Sequence, residues 1–179
     1  MRLRTVPEEE MTPELDVAIR RGLVISFPED AEVFSQTRAW HGSAPAFSVV
    51  LEHEGEVIAH MGVVDRVISA GGHALRVAGI QNVFVLPEFR RRGLTTALME
   101  AAMREAAARN FDLGLLFCAP EIQRVYSRSG WLALDPRPTL RVDENGNPVE
   151  LPDKSLAMFY PLRQPSFPQG VLHLGGNDW

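Results

Sequence analysis

The residues that most invite chemistry run Val83-Phe84-Val85-Leu86-Pro87-Glu88-Phe89-Arg90-Arg91-Arg92-Gly93-Leu94-Thr95. A strand-like stretch stops at Pro87, an arginine and glycine loop follows, and helix-forming sequence begins at once. Backbone N–H groups without helical partners converge at such a helix start, beside the positive end of its dipole, and together they make an anion site. Gly93 lets a ligand approach the backbone, while Arg90, Arg91 and Arg92 add charge for further phosphates. Arginines here oppose the helix dipole unless an anion is near, so a merely solvated run is the weaker account. The implied ligand carries a pyrophosphate. Neither G-x-x-x-x-G-K-[ST] nor G-x-G-x-x-G occurs, so the common nucleotide loops do not supply the site.

Elements able to position this loop flank it on both sides. Thr12-Pro13-Glu14 opens a first helix, with Leu15, Ile19 and Leu23 at helical spacing, that ends near Phe27-Pro28. A second short helix follows Pro28-Glu29-Asp30. Residues 47–53, 57–70 and 74–85 read as an antiparallel meander turning at Glu54-Gly55 and Gly71-Gly72. After the loop, Leu94, Leu98, Ala101, Ala102 and Ala106 mark one face of a helix running to about Arg109. Leu113 to Cys118 is a short apolar run, as expected of a strand buried on both faces. Pro120-Glu121 opens another helix, with Ile122, Val125 and Tyr126 as its apolar face and Gly130 as its cap. Two last strands are expected around residues 131–134 and 156–160, separated by turn-rich sequence and followed by a proline-punctuated tail. This order predicts a mixed α/β sheet.

The chain has 179 residues and no internal repeat, so one domain spanning 1–179 is expected. Hydrophobic residues make up 45% and charged residues 23%, which excludes disorder and fibrous architecture. A net charge of -5 argues against a nucleic-acid partner, although 17 of the 18 basic residues are arginine. The single cysteine, Cys118, excludes an internal disulfide framework and a cysteine-rich zinc site. No apolar run approaches about 18 residues, and the N-terminus runs into Pro7 and three glutamates in place of a signal core. A cytoplasmic protein with no membrane partner is the expectation.

The run Val85-x-Pro87-x-x-Arg90-x-x-Gly93-x-Thr95 resembles the acyl-CoA-binding motif of the GNAT (GCN5-related) N-acyltransferases, with Thr95 where that family has a second small residue. Tyr126-Ser-Arg-Ser-Gly130-Trp131 is similar to the family's second signature, Tyr-x-x-x-Gly-[Phe/Trp]. His60, Gly71-Gly72, Arg124 to Tyr126 and Asn177-Asp178-Trp179 are laid out much as in aminoglycoside 2'-N-acetyltransferases. The stretch 40–60 and Phe159-Tyr160-Pro161 also look like the nodulation N-acyltransferases. The resemblance implies the GNAT fold: a mostly antiparallel central sheet, helices on both faces, and a splayed strand pair for acyl-CoA. It implies acetyl-CoA, or another acyl-CoA, as cofactor and a small-molecule amine as acceptor, with an amino-sugar amine the first candidate, and it allows a homodimer.

Site roles follow from the same resemblance. Val83, Phe84 and Val85 would pair with the pantetheine arm, and Arg90, Arg91, Arg92, Gly93, Leu94 and Thr95 would hold the pyrophosphate, with Thr95 also able to cap the helix. A backbone N–H near Val85 would stabilise the oxyanion. Tyr126 takes the position of the thiolate's proton donor, and a phenol with a reference pKa near 10 suits it. Gln81 stands where the aminoglycoside relatives carry a glutamate, and an amide cannot be a general base. His60, His73 and His173, with pKa values near 6.5 when unperturbed, and the chain-end carboxylate of Trp179 are the replacements considered. Glu29, Asp30 and Asp153 fall where those relatives hold a cationic acceptor. Trp40 and His41 either rim the acceptor pocket or simply pack. Cys118 reads as a buried structural thiol, since direct attack by an amine needs no covalent intermediate. The other reading of Gln81 is a non-catalytic acyl-CoA sensor.

Overall fold

The computed structural model describes residues 1–143, 145–151 and 156–179. Its strands are β1 (Arg2–Pro7), β2 (Phe47–His53), β3 (Glu56–Ala70), β4 (His73–Val85), β5 (Leu113–Cys118), β6 (Leu132–Ala133), β7 (Thr139–Val142), β8 (Pro148–Glu150), β9 (Leu156–Pro161) and β10 (Leu172–His173). The helices are α1 (Pro13–Ser26), α2 (Ala31–Gln36), α3 (Leu94–Ala108) and α4 (Gln123–Ser127). All the strands join one sheet, ordered β6-β9-β5-β4-β3-β10-β7-β8, with β2 on β3 and β1 on β2. Most pairings are antiparallel; β4 with β5 and β10 with β7 run parallel. No helix among the described residues is long and apolar enough to cross a membrane.

Strand alternation sends side chains to the two faces of the sheet, where they pack into three buried clusters. Phe47, Val49 and Leu51 of β2 pack with Leu98, Met99 and Ala102 of α3. Val50, from the opposite face, packs with Ile19, Leu23 and Phe34 of α1 and α2. Helices therefore cover both faces of the sheet, as the GNAT-like reading expects. The meander, the helix after the loop and the 113–118 strand lie where the periodicity puts them. Thr12 caps α1 as expected, its hydroxyl accepting from the Leu15 N–H at 3.3 Å.

Other elements differ from the sequence reading. β1 was not expected, because only Val6 in it is buried and its polar residues suppress the alternation. The expected tail contains β10, while β7 and β8 occupy turn-rich sequence. These strands have two to four residues and exist through their neighbours' hydrogen bonds. The helix expected from Pro120 is a 3₁₀ turn, Pro120–Ile122, followed by only five α-helical residues. Its expected apolar face divides, with Tyr126 buried and Ile122 and Val125 exposed.

A closed ring of buried polar groups joins α1, the 37–43 loop and the sheet. The Arg38 guanidinium bonds Asp16 at 2.5 Å, Glu8 at 2.7 Å and Ser48 Oγ at 3.4 Å. His60, fully buried, places Nε2 3.1 Å from Ser48 Oγ and Nδ1 3.0 Å from the Asn82 carbonyl. A carbonyl only accepts, so Nδ1 carries the proton and Nε2 accepts from Ser48. Asn82 Nδ2 closes the ring at 2.6 Å by donating to the Arg38 carbonyl. Burial, aided by the Arg38 charge and opposed by the Asn82 hydrogen bond, pushes the His60 pKa down to about 3.

Between pH 6.5 and about 3 an unfolded chain binds a proton that folded His60 refuses. Stability is therefore fully present above pH 6.5 and falls on acidification, by roughly 1.4 kcal/mol per pH unit from this residue. Thermal unfolding at stepped pH checks this: His60→Gln should flatten the slope between pH 6 and pH 4, and an unchanged slope would assign it to other groups.

Candidate active site

The parallel ladder of β4 and β5 runs from Val77 opposite Leu113 to Ile80 opposite Leu116, and then the strands part. Beyond that point Phe117 and Cys118 stay with β9, while Gln81, Phe84 and Val85 stay with β3. The β3–β4 register shifts between His60 and Gly62, leaving Asn82 and Val83 opposite Met61 in a β-bulge. Asn82 takes φ +53°, a left-handed conformation that asparagine tolerates. Bulges bend their strand, and this one turns β4 away from β5 as the wedge opens.

Three adjoining cavities fill the wedge, of about 290, 310 and 260 Å³ from the inner end to the mouth. Val83, Ile122 and Tyr126 line both the inner and middle spaces; Val85, Arg90, Thr95 and Val125 line both the middle space and the mouth. Arg91, Gly93 and Arg128 complete the mouth. Gly93 is the N-cap of α3 at φ +74°, and no side chain caps this helix. The glycine is needed for conformation alone, since a Cβ there would meet nothing within 4 Å. Ser26 Oγ, on the middle space, is buried with no hydrogen-bond partner among the described residues.

Arg92 is not among the residues lining the mouth; its guanidinium bonds the Glu88 carbonyl at 3.0 Å and lies 5.2 Å from the ring centroid of Phe89, which does line it. One loop expectation is corrected. Thr95 does not cap α3, because it already lies inside the first turn, after Gly93. Arg90 stays at the mouth with Nε donating to the Val85 carbonyl at 3.0 Å.

At the inner end the structure gathers Tyr126, Gln81, Trp179, Asp30 and Cys118 around one cavity. Burial, with a smaller contribution from Cys118, raises the Tyr126 phenol to about 12, and burial raises the Cys118 thiol to about 11. Both groups are protonated at neutral pH, so Cys118 is no thiolate nucleophile. Gln81, expected among the catalytic residues, spends its amide on the main chain. Its Nε2 donates to the Ser43 carbonyl at 2.7 Å, and its Oε1 accepts from the Trp40 N–H at 3.3 Å. It organises the 40–43 loop.

Trp179 enters the cavity wall through its indole. Gly79 supplies the slot: a Cβ there would stand 2.5 Å from the ring. Indole Nε1 donates to the Leu115 carbonyl at 3.4 Å, and Arg66 lies 5.2 Å from the ring centroid. The preceding residues are tied down, with Arg66 and Arg141 on Asn177 and His41 on Asp178 at 2.9 Å. Asp30 lines the cavity, whereas Glu29 is exposed and outside it. Asp153 lies outside the described residues. None of the three histidines is placed to act as base: His60 is sealed in the polar ring, and His73 and His173 sit exposed where β3 turns into β4, at the far end of the sheet.

Sequence reasoning missed Phe27, Phe34 and Asn82, which also line the cavity. Adjacent amides at Gln81 and Asn82, interrupting an otherwise apolar strand, were the available signal for a bulge. Trp40 does rim the cavity, whereas the exposed His41 is not among the residues that line it.

With this geometry in hand, the profile described as an acetyltransferase (GNAT) domain matches residues 23–133. The chain belongs to the GNAT acetyltransferase family. It is 29% identical over 129 residues to an aminoglycoside 2'-N-acetyltransferase of Mycolicibacterium fortuitum, covering 72% of this chain and 64% of that protein, less than two thirds of its length. Among solved structures it is similar to the GNAT family N-acetyltransferase YhbS of Escherichia coli in complex with CoA. There the TM-score is 0.68 and the identity 16%, over 97% of this chain and 88% of the other. An acyl-CoA N-acyltransferase from Pseudomonas aeruginosa gives a TM-score of 0.64 at 16% identity, over 89% and 98% of the two chains. These structures share the fold.

Gly79→Ala should force the Trp179 indole out of its slot. We expect faster acrylamide quenching of tryptophan fluorescence and a stability loss of roughly 1–3 kcal/mol; unchanged quenching would mean the ring repacks in place.

Proposed function

We propose that residues 1–179 act as one N-acyltransferase domain that moves an acetyl or longer acyl group from coenzyme A directly to a primary amine of a small molecule. The observation that carries this reading is the continuous channel from the uncapped, arginine-flanked start of α3 to a cavity beside the protonated Tyr126. Acyl-CoA fits the residues present, since the left-handed Gly93, the free first-turn N–H groups and the orphaned Ser26 hydroxyl all await an anionic, hydrogen-bonding ligand. The first turn of α3, Arg90, Arg91 and Arg128 would hold the pyrophosphate, and the parted edge of β4 at Val83 to Val85 would pair with the pantetheine arm. When bound, the cofactor supplies an activated acyl thioester.

Each protein group then has a limited task. Tyr126 keeps its proton through the neutral range and gives it to the departing sulfur. The main chain near Val85 is the N–H donor we assign to the developing negative charge. Neither Gln81 nor any of the three histidines takes the proton of the amine, which passes to water, with the chain-end carboxylate of Trp179 the other acceptor at this cavity. The Mycolicibacterium relative makes an amino-sugar the first acceptor to test. A small-molecule partner and no nucleic acid accord with the net charge of -5, and a cytoplasmic location accords with the donor. Gln81 in the place of a carboxylate favours a second reading, an acyl-CoA sensor without turnover.

Calorimetry should give saturable acetyl-CoA binding that Arg90→Ala and Gly93→Val weaken by roughly tenfold, about 1.4 kcal/mol. Binding unaffected by both substitutions would move the cofactor elsewhere. In a thiol-release assay Tyr126→Phe should lower kcat by roughly 100-fold or more with CoA affinity unchanged. Release that never exceeds hydrolysis for any amine would favour the sensor. The rate should climb with pH as the acceptor loses its proton, with no step from a histidine near pH 6.5.

A further inference from the structure

We infer that the acceptor is a small amine bearing one positive charge on an aromatic or similarly apolar body, and not a polycationic amino-sugar. The inference rests on the acyltransferase reading and narrows its substrate class. The inner cavity of about 290 Å³ falls just below the roughly 300–1,000 Å³ that engulfs drug-sized molecules. A multi-ring aminoglycoside would leave most of its surface outside.

The walls of this cavity are aromatic. Phe27 lies 5.7 Å from Phe34, which stacks at 5.5 Å on Trp40. On the β5 side Phe117 meets the edge of Trp179 at 5.9 Å. Such surfaces favour a flat apolar body, and their faces attract a single ammonium. Most polar side chains between them are engaged, Gln81 with the 40–43 loop, Asn82 with Arg38 and Cys118 with Met158, while Tyr126 offers a neutral phenol. Among the described residues lining the cavity, Asp30 is the one charged side chain. It can neutralise one ammonium. Each further ammonium would be desolvated against ring carbons without a side-chain counter-charge, and Arg66 behind Trp179 would repel it. Sugar hydroxyls would likewise find few free side chains among those lining the cavity.

In the transfer, the amine nitrogen gains the acyl group as the carbon–sulfur bond breaks. Its surplus proton passes to water, and the sulfur takes the Tyr126 proton, which solvent restores.

The full chain with acetyl-CoA, assayed for thiol release against 2-phenylethylamine, tryptamine, spermidine and kanamycin, tests this. The expected result is a kcat/KM for the two arylalkylamines roughly tenfold or more above that for the polycations. Asp30→Asn should raise KM for 2-phenylethylamine more than it lowers kcat. Kanamycin or spermidine preferred, acetyl-CoA bound but neither amine class turned over, or octanoyl-CoA preferred to acetyl-CoA by roughly tenfold, which would mean that the donor's chain fills the cavity, would each overturn the inference. Absence of saturable acetyl-CoA binding would overturn the acyltransferase reading beneath it.

Discussion

The parting of β4 from β5 beyond Ile80 and Leu116 is the constraint on which the rest of this protein depends. Parallel neighbours normally continue to exchange hydrogen bonds, and stopping the ladder leaves main-chain groups in need of other partners. Here β5 turns its outer edge to β9 and β4 keeps β3, so each strand remains in a sheet while the space between them opens. The α3 N-terminus lies at one end of that space and the aromatic cavity at the other. Tyr126 sits where the inner and middle spaces meet.

Holding the wedge open has a physical cost, and the buried polar ring carries it. A non-glycine residue in a left-handed conformation costs on the order of 1–3 kcal/mol unless its surroundings specify it. Asn82 is specified twice, through its side chain on the Arg38 carbonyl and its own carbonyl on His60. Arg38 in turn is fixed by Glu8 and Asp16. Burial raises the Asp16 carboxyl, but hydrogen bonds from Arg38 and Arg20 outweigh it and the net shift is downward. Charged and neutral groups thus meet in one network, in which the histidine serves as a neutral strut. Gln81, one residue before the bulge, extends the same logic to the 40–43 loop.

Much of this was legible in the chain, for local reasons. Gly93 between three arginines and a helix start announces its conformation and charge without help from distant residues, and Tyr126 follows at a spacing the fold preserves. Less was legible wherever a residue's role depends on its partners. Arg92 reads like Arg90 and Arg91, yet only those two line the mouth, while Arg92 rests on the Phe89 ring and the Glu88 carbonyl. Glu29 and Asp30 are indistinguishable in sequence, and the direction of one 3₁₀ turn brings only Asp30 to the cavity. His60 offers an ordinary imidazole until complete burial removes its basicity. β1 and the short strands of the tail escape periodicity because hydrogen bonds to an existing sheet, not a buried face of their own, define them.

The sequence by itself determined the class of the fold, the arginine and glycine loop that starts α3, and the place of Tyr126 in the chain. Each is written in contiguous residues whose backbone preferences and charges act over a few ångströms. Only the tertiary structure decided the chemistry of the inner cavity. Its walls come from the turn after α1, α2, β4, β5, α4 and Trp179, elements far apart in sequence; burial keeps Tyr126 and Cys118 neutral, and hydrogen bonds to the main chain engage Gln81.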